Sequence, residues 1–214
     1  MSLEQVLQQA TDALPAGAGP LGLLSSDEFL PAVEAFDGRL LELSGPRVGV
    51  IYCADHRAQP HSERYARRHF EALGARAITV DMHGDALPEH DLTYIAGGSP
   101  KDLLEHLRES ARWREIVATW RDGKGLAGSS AGAMNLCRKL LIPERGARVP
   151  TTWTEGAGVI DVFAVAVHAS SRSKGWLEQV ARDAPVPVVA LADTAGVIMR
   201  NKMAPEIFGD VWIT

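Results

Sequence analysis

The sequence contains little cysteine and no long hydrophobic run. Its two cysteines, Cys53 and Cys137, are too few and too widely spaced for a disulfide framework or a zinc site. We interpret both as small buried hydrophobic residues and expect the reducing environment of the cytoplasm. No apolar run approaches the roughly 18 residues that span a bilayer, and the first residues lack the basic and then apolar pattern of an export signal. We therefore expect no association with a membrane.

An excess of positive charge is also absent. The net charge of −5 gives no general attraction for nucleic acid, because such binding requires clustered lysine and arginine. We interpret the local group Arg64, Arg67 and Arg68 as the solvated face of a helix. With 46% hydrophobic residues, the chain can bury one sizeable core, and we expect a single domain over residues 1–214. Residues 1–20 read as a helix and a Pro/Gly-rich lead-in, and the sequence leaves monomer and homodimer both open.

Short apolar runs alternate with longer stretches of helical periodicity. The runs predicted as strands are 21–24, 47–53, 75–81, 91–98, 123–129, 158–168, 186–192 and 196–200. Their lack of strict alternation is typical of strands covered on both faces, as in parallel sheets. Helical spacing extends over 61–74 and 99–123, with Gly74 and Gly123 at the expected C-terminal caps. The pattern predicts a three-layer α/β domain of the flavodoxin-like type, with a mostly parallel central sheet and helices on both faces.

In this architecture, ligands bind beyond the carboxyl ends of the strands. The turn after the strand at 91–96 reads Gly97-Gly98-Ser99, and its glycines let backbone N–H groups approach a ligand at the start of the next helix. A plain turn is the alternative interpretation. A nucleotide-binding module would use the same glycines as a phosphate nest, but the chain has no P-loop lysine pattern.

Residues 128–132 read GSSAG and have the spacing G-x-S-x-G. That spacing is typical of a nucleophile elbow, which holds its central serine at strained backbone angles and leaves room only for small neighbours. A predicted strand precedes the segment, and a helix-like stretch follows it. In such an elbow Ser130 is the nucleophile, and the N–H of Ala131 forms an oxyanion hole with that of Gly97 or Gly98. The alternative is a tight turn for helix packing.

A serine nucleophile requires a histidine base and an acid that orients the base. His168 differs from the other six histidines because it ends the apolar run FAVAVH and begins a polar loop. We interpret it as the base, with a buried core histidine as the alternative. The other six lie in polar or helical contexts and are interpreted as exposed: His56, His61, His69, His83, His90 and His106.

These residues resemble peptidase E (aspartyl dipeptidase) and the cyanophycinases, which are serine peptidases with a fold like that of class I glutamine amidotransferases. The similarity runs through most of the chain. Asp27-Glu28-Phe29 is similar to the opening segment of the family, and YIAGGSPKDLLEHL to its Gly-Gly-Asn/Ser turn and helix. GSSAGAM matches the family's Gly-x-Ser-Ala-Gly-Ala, and FAVAVHAS is similar to its histidine strand. The resemblance implies Ser130 as nucleophile and His168 as base, without a cofactor or a metal.

The chain departs from this family at two places. The family has a glutamate after the strand that follows the histidine, where this chain reads LADTA. We therefore expect Asp193 as the orienting acid, although it is shorter by one methylene. The fallback acids are Glu144, Glu155 and Asp161. The second departure is Leu24-Ser25-Ser26, where relatives tend to carry glycines, and it affects the expected shape of the substrate pocket.

The resemblance implies hydrolysis of short peptides that begin with aspartate, through an acyl-enzyme. A cation must then bind the substrate's side-chain carboxylate, and Arg172 in the loop after His168 is the nearest candidate. We also assign Ser99 to the substrate-binding residues. The alternatives are an esterase or another amidotransferase-like hydrolase, or a pseudoenzyme that keeps the elbow as a binding surface. Ser130 argues against a glutaminase, which needs cysteine at the elbow.

Overall fold

The computed structural model describes residues 1–52, 59–142 and 152–214. The helices are α1 (Leu3–Ala13), α2 (Glu34–Ser44), α3 (Gln59–Ala72), α4 (Pro100–Glu109), α5 (Ala111–Arg121), α6 (Ala131–Leu136) and α7 (Lys174–Asp183). Two short 3-10 helices cover Pro31–Val33 and Ala169–Ser171. The strands are β1 (Leu21–Leu24), β2 (Arg47–Ile51), β3 (Arg76–Thr79), β4 (Leu92–Ile95), β5 (Gly125–Ser129), β6 (Lys139–Ile142), β7 (Thr152–Glu155), β8 (Ala164–Ala166), β9 (Val188–Leu191), β10 (Gly196–Met199), β11 (Glu206–Phe208) and β12 (Val211–Ile213).

The central sheet contains seven strands in the order β11-β10-β1-β5-β4-β2-β3. Strands β1, β5, β4, β2 and β3 run parallel, and β10 and β11 continue the sheet antiparallel at one edge. Along β1, Leu21 and Leu23 belong to one apolar cluster and Leu24 to a second, so both faces of the sheet are covered. This arrangement confirms the predicted α/β class and explains why the apolar runs do not alternate.

A second sheet has three strands in the order β12-β9-β8. The predicted strand over 158–168 is therefore wrong in extent, because only Ala164–Ala166 forms β8, and β8 lies outside the central sheet. The antiparallel pair of β6 and β7 was not predicted either. The helical stretch 99–123 is two helices, because Ser110 ends α4 and its side chain accepts a hydrogen bond from the Arg112 N–H at the start of α5.

Two histidines that the sequence predicts to be exposed are buried. His69 Nε2 lies 2.7 Å from Asp37 Oδ2 and so links α3 to α2, and burial raises the pKa of the Asp37 carboxyl. The His90 ring bonds the Pro88 carbonyl at 2.6 Å and the Thr93 hydroxyl at 2.7 Å, and burial lowers its pKa. Polar neighbours in sequence favour exposure of both rings, but tertiary packing supplies them with buried partners.

The structure also bears on the predictions about the cysteines, the arginine group and membrane-spanning helices. Cys137 is buried, as predicted, and burial raises the pKa of its thiol to about 12. The three arginines of α3 are exposed, as predicted. Cys53 and His56 lie outside the described residues. No helix within the described ranges is both long enough and apolar enough to cross a membrane.

Gly132 and Gly38 form a matched pair of helical glycines for a stability test. A Cβ added at Gly132 in α6 would lie 2.2 Å from the carbonyl oxygen of Ile95, whereas one added at Gly38 in α2 would meet nothing within 4 Å. We expect Gly132→Ala to lower the free energy of unfolding by about 1–3 kcal/mol through overpacking. Gly38→Ala should raise it by up to about 1 kcal/mol, because alanine favours the helix. Urea unfolding measures both values, and equal stability of the two variants would contradict the close packing of α6 on β4.

Candidate active site

Three loops meet at one edge of the central sheet. Strands β1, β5 and β4 are parallel neighbours, so their carboxyl ends lie side by side. The loops that leave them are 25–30 after β1, the turn at Ser130 after β5, and the turn at Gly97 and Gly98 after β4. The sequence placed candidate residues on two of these loops, and the structure brings all three together.

Ser130 lies on a sharp turn between β5 and α6. Its backbone has φ 50° and ψ −112°, a conformation that serine rarely adopts and that stores strain. Its neighbours are crowded, since a Cβ at Gly128 would lie 2.5 Å from the carbonyl carbon of Gly132. The Ser130 N–H donates to the Leu24 carbonyl at 3.0 Å and so ties the turn to β1. This geometry is that of a nucleophile elbow.

His168 faces Ser130 from the second sheet. It lies two residues after β8 in a left-handed conformation with φ 54°. Its Nε2 is 3.0 Å from Ser130 Oγ, which is hydrogen-bonding distance. The His168 N–H donates to Ser25 Oγ at 2.8 Å, and that hydroxyl donates to the Leu191 carbonyl at 3.1 Å. The histidine is therefore held between the ends of β1 and β9.

Asp193 follows β9 on the far side of the imidazole. Its Oδ1 lies 3.5 Å from His168 Nδ1, which is longer than an ordinary N–H···O hydrogen bond. Among the described residues, that buried oxygen has no hydrogen-bond partner. The other oxygen accepts from Ser171 Oγ at 3.0 Å, and the Asp193 N–H donates to Ser170 Oγ at 2.9 Å. Ser171 thus holds the carboxylate and Ser170 holds the backbone of Asp193, and the other carboxylate oxygen faces the histidine.

The fallback acids lie elsewhere. Glu155 is exposed on β7 and pairs with Lys139 on β6, and Asp161 is also exposed. Across the described ranges, no ion pair or hydrogen bond joins either side chain to His168. Glu144 lies outside the described residues.

The turn after β4 offers one free donor rather than two. The Gly97 N–H donates to Glu28 Oε1 at 2.9 Å, so it is not available as an oxyanion donor. Gly98 has φ 129°, a conformation suited to glycine, and it is exposed. In the part of the chain that the structure describes, the N–H groups of Gly98 and Ala131 have no acceptor. These two groups are the donors left for an oxyanion.

Sequence reasoning gave no role to Glu28 or Ser26. Glu28 bonds both Gly97 and the Ser129 hydroxyl, the latter at 3.0 Å. Ser26 Oγ accepts from the Thr194 N–H at 3.1 Å and so connects β1 to the segment that carries Asp193. Their position in the chain was the one signal that could have indicated a role, because both residues follow β1, the strand that pairs with β5. No spacing in the sequence indicates which partner such a side chain will meet.

The two predicted substrate-binding residues lie near the edge of the site. Arg172 is exposed, and its guanidinium carbon lies 4.9 Å from the centre of the Trp176 ring. Within residues 1–52, 59–142 and 152–214 it forms no ion pair. Ser99 caps α4, because its hydroxyl accepts from the Asp102 N–H at 3.3 Å. No group of three His, Cys, Asp or Glu side chains in those ranges is placed to hold a metal ion.

Comparison with known proteins assigns the family. A model of peptidase family S51 matches residues 24–207. The chain belongs to this family. The structure is similar to that of a peptidase from an acI-B1 actinobacterium, with a TM-score of 0.74 and 24% identity over 90% of this chain and 88% of that one. It is also similar to a candidate peptidase E protein from Listeria monocytogenes EGD-e, with a TM-score of 0.65 and 16% identity over 92% of this chain and 98% of that one. No curated protein matches the chain significantly.

Membership of family S51 makes the chain a serine peptidase and therefore a hydrolase. It confirms the resemblance to peptidase E on which the sequence interpretation depends. The two structural likenesses are below 25% identity and support the fold. The matched range contains Ser130, His168 and Asp193.

The contacts of Asp193 predict which acid serves the histidine. We expect Asp193→Asn to lower kcat for peptide cleavage by about 10²- to 10⁴-fold, because an amide cannot stabilise a protonated imidazole. Asp161→Asn and Glu155→Gln are the controls and should keep the wild-type kcat. Steady-state kinetics on one short peptide measures all three. An Asp193→Asn variant as fast as its controls would show that this carboxylate does not assist the histidine.

Proposed function

We propose that this member of family S51 hydrolyses short peptides through an acyl-enzyme, with Ser130 as nucleophile, His168 as base and Asp193 as orienting acid. The observation that carries the proposal is the 3.0 Å separation of Ser130 Oγ and His168 Nε2. A serine hydroxyl is a weak nucleophile at its ordinary pKa, so a base at this distance is what makes it reactive. The strained elbow aims the hydroxyl at the carboxyl edge of the sheet, where substrate binds.

In the first half of the reaction, Ser130 attacks the carbonyl carbon of the scissile peptide bond. His168 Nε2 takes the hydroxyl proton, and the carbonyl oxygen becomes an oxyanion. The N–H groups of Gly98 and Ala131 donate to this oxygen. Such donors act most strongly where charge develops, and removal of one typically lowers the rate by about 10²- to 10³-fold.

In the second half, the tetrahedral intermediate collapses. The leaving amine takes the proton from His168, the C–N bond breaks, and the acyl group stays on Ser130. Water then attacks the ester and His168 takes its proton. The second tetrahedral intermediate collapses as His168 gives this proton to Ser130 Oγ, so that the C–O bond breaks, the product acid leaves and the serine hydroxyl is restored. Asp193 stabilises the imidazolium that forms twice in the cycle. Its 3.5 Å distance from Nδ1 requires a small approach of the two groups as that charge appears.

The proposed substrates begin with aspartate. Arg172 supports this choice, because its guanidinium lies in the loop after His168, is exposed and forms no ion pair among the described residues. A guanidinium binds a carboxylate through two parallel hydrogen bonds. Stacking on Trp176 limits the positions that the cation can take. Ser99 keeps its hydroxyl proton for a ligand while its oxygen caps α4.

The serine mechanism is tested by covalent labelling. A fluorophosphonate should label the native protein at Ser130, and Ser130→Ala should abolish both labelling and peptide hydrolysis because the nucleophile is lost. Ser62→Ala on α3 is the control and should still be labelled. Mass spectrometry locates the label. Hydrolysis that persists in Ser130→Ala would exclude this mechanism, and a labelled protein that cleaves esters but no peptide would favour an esterase.

The substrate class is tested with dipeptides that differ only in their first residue. We expect Asp-first dipeptides to have the highest kcat/KM. Arg172→Ala should raise KM for them by about tenfold to a hundredfold, because a charge-assisted bidentate contact is worth about 1.5–3 kcal/mol. Arg182→Ala removes another exposed arginine on α7 and should change nothing. An equal loss for Ala-first dipeptides would separate Arg172 from recognition of the aspartate side chain.

A further inference from the structure

Glu28 connects the three loops that build the site. It belongs to the loop after β1, and its carboxylate reaches across the end of β5 to the turn after β4. Oε1 accepts from the Gly97 N–H at 2.9 Å, and Oε2 accepts from the Ser129 hydroxyl at 3.0 Å. Gly97 precedes the free N–H of Gly98, and Ser129 precedes the nucleophile. One side chain therefore holds the residue before each of two functional groups.

The backbone on both sides of Glu28 is strained. Asp27 has φ 60° and Phe29 has φ 66°, values that residues with a Cβ seldom adopt. Such strain persists only where the surroundings enforce it, and it concentrates at functional sites. Here the enforcing contact is the Phe29 ring, which is 5% exposed and lies 5.4 Å from the Tyr94 ring and 5.9 Å from the Phe70 ring, centre to centre. The buried aromatic ring fixes the loop so that the neighbouring carboxylate points inward.

The space around Gly97 shows how closely the turn fits. A Cβ at this position would lie 2.7 Å from Glu28 Oε1 and 3.2 Å from Ser130 Cβ. The turn is therefore packed closely against both Glu28 and Ser130. The Gly97 N–H is bound to the carboxylate and is not free to bind a substrate. This fixed peptide sets the direction of the next one, whose N–H belongs to Gly98.

We propose that Glu28 is a positioning residue that sets the geometry of the oxyanion hole. It acts by fixing the Gly97 peptide and the Ser129 side chain, so that the N–H groups of Gly98 and Ala131 face the same point beside Ser130 Oγ. This proposal rests on the proposed serine mechanism. The role of Glu28 is geometric, because a negative charge placed near a developing oxyanion would oppose catalysis if it acted directly.

Two substitutions of Glu28 separate geometry from charge. Glu28→Gln keeps an acceptor oxygen for the Gly97 N–H, and its amide can donate to the Ser129 oxygen after the hydroxyl rotates. It should keep kcat within about threefold of the wild type, as expected when hydrogen-bond geometry is retained. Glu28→Ala removes both contacts and should lower kcat by about tenfold to a hundredfold, less than or equal to the loss of a whole oxyanion donor. KM should change much less than kcat in both variants.

Further readouts distinguish positioning from general destabilisation. Glu34→Ala removes an exposed acid of α2 and is the matched control. The pH midpoint of kcat/KM should be the same in all variants, because no hydrogen bond or ion pair within the described ranges joins Glu28 to His168. Thermal unfolding gives the folded fraction by which each rate is corrected. If Glu28→Ala does not fold, Ser129→Ala replaces it, since it removes one of the two contacts and should lower kcat with KM unchanged.

The rate of fluorophosphonate labelling decides the outcome, because the phosphoryl oxygen occupies the oxyanion hole without any peptide specificity. We expect labelling to slow in Glu28→Ala in proportion to kcat and to stay near normal in Glu28→Gln. If the wild type is labelled normally and Glu28→Ala is labelled at the same rate, the positioning role of Glu28 is overturned, while the serine mechanism stands. A loss as large in Glu28→Gln as in Glu28→Ala would also overturn it, since the charge would then be the requirement. A wild-type protein that is neither labelled nor active would overturn the proposed function together with this proposal.

Discussion

The strained backbone of Ser130 is the constraint on which the site depends. Its φ of 50° and ψ of −112° place the hydroxyl at the tip of the turn between β5 and α6. The turn can close only because Gly128 and Gly132 leave no side chain between β4, β5 and the helix. The strain is offset by the packing of a sheet that is buried on both faces. Small residues in this segment are therefore required by the approach of two backbones.

The histidine and its acid reach the serine from a different sheet. β8 and β9 belong to the three-stranded sheet, and the residues after them bring His168 and Asp193 to the edge of the central sheet. Hydrogen bonds of two serine side chains connect the two sheets at this point. Ser25 bonds the His168 backbone, and Ser26 bonds the segment next to Asp193. Ser25 and Ser26 thus hold together the parts of the site.

Two carboxylates lie near Ser130, and their hydrogen bonds differ. Asp193 presents one oxygen to the imidazole and is steadied by Ser170 and Ser171. Both oxygens of Glu28 are engaged by donors of the neighbouring turns. A carboxylate whose oxygens already accept hydrogen bonds from the protein mainly fixes the groups that donate to it. The arrangement of Asp193 suits a group that responds to charge on a histidine. The arrangement of Glu28 suits a group that holds its neighbours in place.

Local pattern predicted much of this protein. Apolar runs without alternation indicated a parallel sheet, the small residues at 128–132 indicated the elbow, and the change from apolar strand to polar loop singled out His168. These features can be predicted from the sequence because each depends on residues close together in the chain. Asp193 was singled out only through the resemblance to a family with a glutamate near this position, and the structure places its carboxylate 3.5 Å from His168 Nδ1.

Contacts between distant segments were decided by tertiary packing. The membership of β8 in a second sheet, the burial of His69 against Asp37, and the capture of the Gly97 N–H by Glu28 each join residues far apart in sequence. Such pairs leave no periodicity, because a side chain at the end of one strand meets a neighbour determined by strand order. The chain's local chemistry therefore singled out Ser130 and His168. The packing of the two sheets determined their 3.0 Å separation and which backbone N–H groups beside them have no acceptor among the described residues.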